Sequence, residues 1–165
     1  MTTISEGRHA VTRSQSTSPA AEAVRETLRE LRSMQPPVLH HLDAVADTLT
    51  RIADADEVIT DRESDAIEEL LVAEGGLAEA VAVLLVEMAR QRRRAGDCGA
   101  AYAVTRGLRR SADETVRRRL VDAMITVAHA DGRCSPPEIE AIRCIAAELG
   151  VHLETDSILL GASGH

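Results

Sequence analysis

The sequence of 165 residues has no phenylalanine, no tryptophan and no lysine, and Tyr102 is its only tyrosine. Strands are rich in aromatic and β-branched residues, whereas Ala, Leu, Glu and Arg favour helices, so this composition predicts an α-helical protein with an aliphatic core. The longest apolar stretch, residues 77–89, is interrupted by Glu79 and Glu87 and is too short to span a bilayer. It is predicted instead to form the most buried helix of the core.

Disulfide and export signals are also lacking. The three cysteines, Cys98, Cys134 and Cys144, form no C-x-x-C pair and are odd in number, which fits a reducing compartment. Residues 1–18 are polar and lack the apolar segment of a secretory signal, so they are predicted to be a disordered tail. We therefore expect a cytoplasmic protein with one folded domain over residues 19–165.

The net charge of −8 is distributed unevenly along the chain. Residues 90–119 hold ten arginines and only three acidic residues. We expect the triplet Arg117, Arg118 and Arg119 on the solvated side of a helix, where it either binds an anionic protein partner or pairs with the acidic half of the chain. Nucleic-acid binding is not expected, because the chain is acidic overall and offers almost no aromatic side chains to stack on bases.

Apolar residues recur every three or four positions through most of the chain, which predicts about seven helices and no strand. Prolines, glycines and capping boxes of the form Ser/Thr-x-x-Glu mark where the helices start and stop. The marked positions are Pro36-Pro37, Thr60–Glu63, Gly75-Gly76, Ser111–Glu114, Ser135–Glu138 and Gly150. The expected fold class is all-α, with helix–loop–helix units packed as a single compact bundle.

An internal repeat emerges when the chain is shifted by 75 residues against itself. Residues 52–71 then align without a gap with residues 127–146, and six of the twenty positions are identical. The aligned pairs include Asp56 with Asp131, Glu63 with Glu138, and Ile67 with Ile142. Each segment contains a helix end, a short loop and a Thr/Ser-x-x-Glu helix start. This predicts a duplicated α-hairpin, with copies near residues 38–75 and 112–150.

The stretch V-A-H-A-D-G-R-C-S-P-P-E-I-E-A-I, residues 127–142, resembles the signature of the TerB-like family, the tellurite-resistance TerB proteins and their relatives. The family pattern is an alanine-flanked Asp-Gly, a short loop, and a Glu followed four residues later by an Ile. The resemblance extends over roughly residues 38–160. It implies an all-helical, internally duplicated fold, a bacterial stress-response role and a metal site at the paired acids. Carried onto this sequence, the implied ligands are Asp56, Glu63, Asp131 and Glu138. The first copy departs from the pattern at Glu57, which replaces the glycine.

The acidic loops have two interpretations. Asp56 and Asp131 are expected at helix C-termini, where the helix dipole disfavours a carboxylate by about 0.3–1 kcal/mol and a cation would remove that penalty. Clustered oxygen ligands suit Ca²⁺ or Mg²⁺ better than Zn²⁺. The alternative is helix capping, because Glu63 and Glu138 occupy the third helical position of capping boxes, which stabilise a helix start by about 0.5–2 kcal/mol without metal. An EF-hand is excluded, since the loop that starts at Asp54 lacks the required glycine and the final glutamate.

No Ser/His/Asp or Cys/His set has a spacing that supports catalysis, so we expect no enzyme. Cys134 lies in the second loop, where it either reacts with thiophilic oxyanions such as tellurite or is incidental. The sequence thus predicts a non-catalytic, TerB-like, stress-associated module that binds a divalent cation through its acidic loops. A metal-independent scaffold, which binds a protein partner through its acidic and arginine-rich faces, is the alternative.

Overall fold

The structure is a computed structural model that describes residues 18–96, 98–153 and 158–159, with residues 98–101 described by their backbone alone. The predicted tail lies outside the described residues, apart from Ser18. The described part contains seven helices and no strand, which confirms the all-α prediction. The helices are α1 (Pro19–Ser33), α2 (Pro36–Ala53), α3 (Asp61–Gly75), α4 (Glu79–Arg94), α5 (Cys98–Ser111), α6 (Glu114–Ala128) and α7 (Pro136–Leu149).

Helix α2 is the centre of the bundle, because it packs against α3, α4, α5, α6 and α7. It buries eight residues, whereas α4 buries five. The prediction that residues 77–89 form the most buried helix is therefore wrong. The apolar run of α4 continues onto its outer face, where Val83 and Met88 are 42% and 44% exposed. Helix α1 lies outside the core and buries none of its residues.

Most of the predicted helix boundaries are confirmed. Pro36 and Pro37 occupy the first two positions of α2, where a missing amide hydrogen has no helical partner to lose. Gly76 and Gly150 end α3 and α7 in the left-handed conformation, with φ of 64° and 70°.

The capping box predicted at Ser111–Glu114 is wrong. Helix α5 continues through Ser111, whose hydroxyl group donates a hydrogen bond to the carbonyl of Gly107. Helix α6 is capped instead by Asp113, whose carboxylate accepts a hydrogen bond of 2.9 Å from the amide of Val116. A side chain that is already inside one helix cannot cap the next, so the aspartate takes that role.

The aligned isoleucines of the two repeats, Ile67 in α3 and Ile142 in α7, are both completely buried in the common core. Helix α2 leads into α3, and α6 leads into α7. Because α2 and α6 also pack against each other, the packing of the four helices brings the two connecting loops to one end of the bundle.

Candidate metal centre at the two acidic loops

The loop between α2 and α3 and the loop between α6 and α7 have the same backbone hydrogen bonds. The amide of Glu57 donates to the carbonyl of Asp54 at 3.1 Å, and the amide of Gly132 donates to the carbonyl of His129 at 3.0 Å. Both donors have a positive φ, 68° for Glu57 and 90° for Gly132. The glutamate of the first loop therefore adopts the left-handed conformation that glycine provides in the second. The two loops share this geometry, while their origin by duplication stays a prediction.

The two aspartates stabilise these turns. The Oδ1 atom of Asp56 accepts a hydrogen bond of 3.1 Å from the amide of Val58, and the Oδ1 atom of Asp131 accepts one of 2.8 Å from the amide of Arg133. Each aspartate thus forms an Asx turn with the residue two positions further on. Asp56 is exposed and Asp131 is half-buried.

The expected position of the aspartates at the helix ends needs correction. Helix α2 ends at Ala53 and is followed by Asp54, whose carboxylate lies 2.7 Å from the guanidinium of Arg93. Asp56 lies beyond this cap, and Asp131 lies beyond the corresponding cap residue, His129. The unfavourable charge at the end of α2 is therefore that of Asp54, and an arginine already compensates it.

The two glutamates form the capping boxes that the sequence predicts. The Oε2 atom of Glu63 accepts hydrogen bonds of 2.7 Å from both the amide and the hydroxyl group of Thr60. The Oε2 atom of Glu138 accepts one of 2.6 Å from the amide of Ser135. The hydroxyl groups of Thr60 and Ser135 accept hydrogen bonds from the glutamate amides in return. Helix capping at Glu63 and Glu138 is thus confirmed.

Unlike most capping glutamates, Glu63 and Glu138 are buried, with exposed fractions of only 4% and 3%. Their side chains also contact each other, and the pKa of Glu138 is raised to about 7. Burial is the largest cause of the rise, the hydrogen bonds from Ser135 oppose it, and the hydrogen bond and charge of Glu63 add to it. The end of the bundle therefore contains a pair of carboxyl groups that cannot both ionise without repulsion.

One oxygen of this pair has no partner. The Oε1 atom of Glu138 is buried and accepts no hydrogen bond from the described residues. A buried carboxylate oxygen without a donor is unfavourable by about 1–3 kcal/mol, and more when it is charged. A proton shared with Glu63, or a cation, would satisfy it.

The four implied ligands are therefore brought together only in part. Glu63 and Glu138 are in contact, whereas Asp56 and Asp131 have their Oδ1 atoms in the turns. Over the described ranges, no group of three or more His, Cys, Asp or Glu residues is arranged to hold a metal ion. The two glutamates offer carboxylate oxygens, the ligands that Ca²⁺ and Mg²⁺ prefer. The four acids together, however, do not surround one point.

The burial of the glutamates had a signal in the sequence. Each glutamate precedes a completely buried isoleucine by four residues, Glu63 before Ile67 and Glu138 before Ile142. Residues four apart lie on the same face of a helix, so both carboxyl groups belong to the inward face. The contact between them had no such signal, because it depends on how the two helix pairs pack.

Cys134 lies beside this pair and is half-buried. Burial raises the pKa of its thiol to about 11, and the charges of Glu138 and Asp131 add to that rise. The thiol is therefore protonated near neutral pH and a weak nucleophile. The same effect shows that Asp131 and Glu138 both lie close to Cys134.

The arginine triplet is divided among different contacts. Arg117 donates a hydrogen bond of 2.5 Å to the carbonyl of Leu149 at the C-terminus of α7. Arg118 is exposed and pairs with Glu114 on its own helix at 2.7 Å. Arg119 is exposed. The three side chains thus differ in their contacts, and partner binding by the triplet stays a prediction.

The arginines at the end of α4 pair within the molecule. Arg92 contacts Asp43 and Asp47 of α2 at 2.9 Å and 3.2 Å, and Arg93 contacts Asp54. Part of the local positive charge seen in the sequence is thus neutralised by the acidic half of the chain.

The comparison with known families agrees with these features. The family model described as tellurite resistance protein TerB matches residues 42–159, which include both acidic loops and all helices from α3 to α7. The chain belongs to the TerB family. The resemblance noted at residues 127–142 is thereby confirmed, and α1 precedes the matched region of this TerB protein.

No curated protein and no solved structure matches the chain. Among the described helices, none has both the length and the apolar content needed to cross a membrane.

Proposed function

We propose that this TerB-family chain is a non-catalytic module that binds a divalent cation, Ca²⁺ or Mg²⁺, through Glu63 and Glu138. Asp56 and Asp131, from the same two loops, would supply further oxygen ligands. The cation would neutralise the two buried carboxylates and join the α2–α3 loop to the α6–α7 loop. The observation that carries the proposal is the buried Oε1 atom of Glu138, which has no donor among the described residues although its side chain contacts a second carboxyl group, that of Glu63.

The chemistry of the donors supports a hard cation. Each glutamate uses Oε2 for its capping box, and the unpartnered Oε1 of Glu138 remains available. Asp56 and Asp131 accept the turn hydrogen bonds through Oδ1. Carboxylate oxygens are the ligands that Ca²⁺ and Mg²⁺ prefer, whereas Zn²⁺ prefers histidine and cysteine thiolate. The raised pKa of Cys134 disfavours its thiolate, which argues against zinc at this loop.

The burial of the pair supports a structural rather than a catalytic role. With exposed fractions of 4% and 3%, the two carboxyl groups are out of reach of a substrate unless the loops open. A cation held there would change the stability of one end of the bundle. This suits a binding module of a stress or tellurite-resistance system, the role that the family description suggests. We place the module in the cytoplasm, because Cys134 and Cys144 are free thiols.

Isothermal titration with CaCl₂ and with MgCl₂, at pH 8 after removal of metal with EDTA, tests the proposal. Wild type is compared with Glu138→Gln and Glu63→Gln. Glutamine can still accept the capping hydrogen bond, so these variants remove the charge but retain the helix cap. We expect binding heat with wild type and a loss of binding in both variants. Absence of heat and of a thermal shift in wild type, or equal binding by the variants, would contradict the proposal.

The metal-independent scaffold remains a second candidate, and two observations favour it. The aspartates are used in the turns, and the described residues hold no group of three or more metal-binding side chains. On this alternative, chelators would change neither stability nor partner binding. The titration above therefore separates the two candidates.

A further inference from the structure

A basic cleft lies between α5 and α7, away from the acidic loops. One face of α5 presents Tyr102, Arg106, Arg109 and Arg110, which follow one another at helical spacing. The cleft has a volume of about 620 Å³, and Cys144, Ala147 and Glu148 of α7 form its other side. All four α5 side chains are exposed, and Tyr102 is 55% exposed.

The arginines of the basic cleft differ from those of α4. Arg92 and Arg93 pair with acids of α2, whereas Arg106 and Arg110 have no carboxylate within ion-pair distance in the described part of the chain. Glu148, the one acid of the cleft, already contacts Arg51 at 3.1 Å and the hydroxyl group of Thr105 at 2.6 Å.

The third arginine of the cleft lies over the end of α7. The guanidinium of Arg109 is so close to Gly150 that a Cβ atom there would lie 3.1 Å from its Cζ atom. Counted over the described residues, the cleft therefore has an excess of positive charge on a protein whose net charge is −8.

An acidic cleft of about 390 Å³ lies on α3 and the start of α4. Its residues are Asp65, Glu68, Glu69, Val72 and Glu79. Four of them follow one face of α3 at helical spacing, as the residues of the basic cleft do on α5. Burial raises the pKa of Glu68, and the charges of Asp65 and Glu79 raise it further, while Arg90 lowers it. The acids of this cleft thus repel one another.

The two clefts belong to different parts of the bundle. Helices α3 and α4 pack against each other, α5 packs against α7, and α2 contacts all four. Among the described residues, the acidic cleft has four acids against the nearby Arg90, and the basic cleft has three arginines against Glu148, so the two clefts are complementary in charge. Each also exposes an apolar or aromatic residue, Val72 by 37% and Tyr102 by 55%. Tyrosine and arginine are the residues that most often carry binding energy at protein interfaces.

We propose that copies of this chain associate head to tail, with the acidic cleft of one copy docked on the basic cleft of the next. The interface is heterologous, since two different surfaces meet, and each added copy leaves one cleft of each sign free. In this interface, the acids on α3 of one copy would pair with the arginines on α5 of the next copy over about two helical turns. A contact of this size falls below about 1,200 Å², which is typical of weak, reversible association.

Exposed ion pairs are screened by salt, so the association is expected to depend strongly on ionic strength. The Debye length falls from about 10 Å at 0.1 M salt to about 3 Å at 1 M. We expect the association constant to fall by at least about tenfold over this range. Sedimentation velocity of the full chain in EDTA measures it, and EDTA keeps the result independent of cation binding at the glutamate pair.

Two neutralised variants provide the decisive test. Arg106→Gln/Arg110→Gln removes the basic cleft and keeps the acidic one, and Asp65→Asn/Glu69→Gln does the reverse. Each variant alone is expected to be monomeric at low salt, whereas an equimolar mixture is expected to form a 1:1 dimer and no larger species. Arg118→Gln is the matched control, because this exposed arginine lines neither cleft, and it is expected to associate as wild type does.

Three results would overturn the proposal. Wild type could remain monomeric at low salt, both variants could associate as strongly as wild type, or the mixture could stay monomeric although each variant is monomeric alone. Circular dichroism of each variant confirms that the bundle is folded before its association is interpreted.

Discussion

Replacing Glu138 by glutamine separates its capping role from its charge. The Oε2 atom of Glu138 accepts a hydrogen bond from Ser135, its Oε1 atom has no partner among the described residues, and Glu63 lies against it. Glutamine retains the acceptor for Ser135 and adds an amide that can donate to Glu63. The variant is therefore expected to keep the cap and to lose the repulsion.

The sign of the pH effect follows from the raised pKa. Glu138 has a pKa of about 7 in the folded protein against an ordinary value of 4.5, so the native state binds this proton more tightly than the unfolded chain does. Its contribution to stability is complete below about pH 4.5, falls as the pH rises toward 7, and is lost above that. A shift of this size corresponds to at most about 3 kcal/mol, and we expect about 1–3 kcal/mol because the pair shares its titration.

Urea unfolding followed by circular dichroism, at pH 5 and at pH 8 in EDTA, measures this effect. Glu138→Gln is expected to match wild type at pH 5 and to exceed it by about 1–3 kcal/mol at pH 8. Glu138→Ala is the control, since it loses the cap and is expected to be less stable than Glu138→Gln at both pH values by about 0.5–2 kcal/mol. Equal stability of wild type and Glu138→Gln at pH 8 would refute the raised pKa of Glu138. Adding Ca²⁺ or Mg²⁺ at pH 8 is expected to stabilise wild type and not Glu138→Gln.

Three further predictions concern the loops and the triplet. Gly132→Ala is expected to lower the free energy of unfolding by about 1–2 kcal/mol because of the positive φ at this position, since a Cβ atom there meets no atom within 4 Å. Glu57→Gly is expected to be neutral or stabilising for the same reason. Thermal unfolding in which Gly132→Ala is as stable as wild type would contradict this. Cys134, in a variant that keeps it as the only cysteine, is expected to react with a disulfide reagent at pH 7.5 about 10-fold more slowly than a free thiol, because its thiolate fraction is lower and the greater reactivity of a more basic thiolate offsets only part of that loss. A rate equal to that of glutathione would show that its pKa is not raised. Arg117→Ala is expected to lower the free energy of unfolding by about 0.5–1.5 kcal/mol, because it loses the hydrogen bond to the carbonyl of Leu149 at the end of α7. Arg118→Ala is expected to lower it by less than about 0.5 kcal/mol, because its ion pair with Glu114 is exposed. A larger loss for Arg118→Ala than for Arg117→Ala in urea unfolding would contradict this prediction.

Local sequence determined the helices and their caps. The lack of aromatic residues is a property of composition alone. The three- and four-residue spacing of aliphatic side chains and the caps at Thr60 and Ser135 depend only on residues within about one helical turn. These features could therefore be interpreted without tertiary structure. The prediction failed at Ser111, because Asp113, two residues further on, caps α6 instead. The outcome there depends on how far α5 extends.

The shared geometry of the loops was only partly visible in the sequence. The alignment of Asp56 with Asp131 predicted equivalent turns, and the turns are equivalent. It did not predict that Glu57 would adopt a left-handed conformation in place of glycine, because residues other than glycine seldom have a positive φ. Nor did it predict that Asp54, rather than Asp56, would cap α2, since that depends on an arginine 39 residues away in α4.

By itself, the sequence thus determined the fold class, the family and the capping boxes at Thr60 and Ser135, because these follow from local patterns. That the acids of the loops hold a cation stays a prediction. Only the tertiary structure decided which acids meet. Packing of α2 on α6 brings the two loops together, which places Glu63 against Glu138 and leaves Asp56 exposed. Packing of α2 on α4 pairs Arg92 and Arg93 with acids, whereas the exposed arginines of α5 have no carboxylate within ion-pair distance in the described part of the chain. Charges that are distant in sequence interact only when helices are packed, since their energy depends on separation and burial rather than on order along the chain.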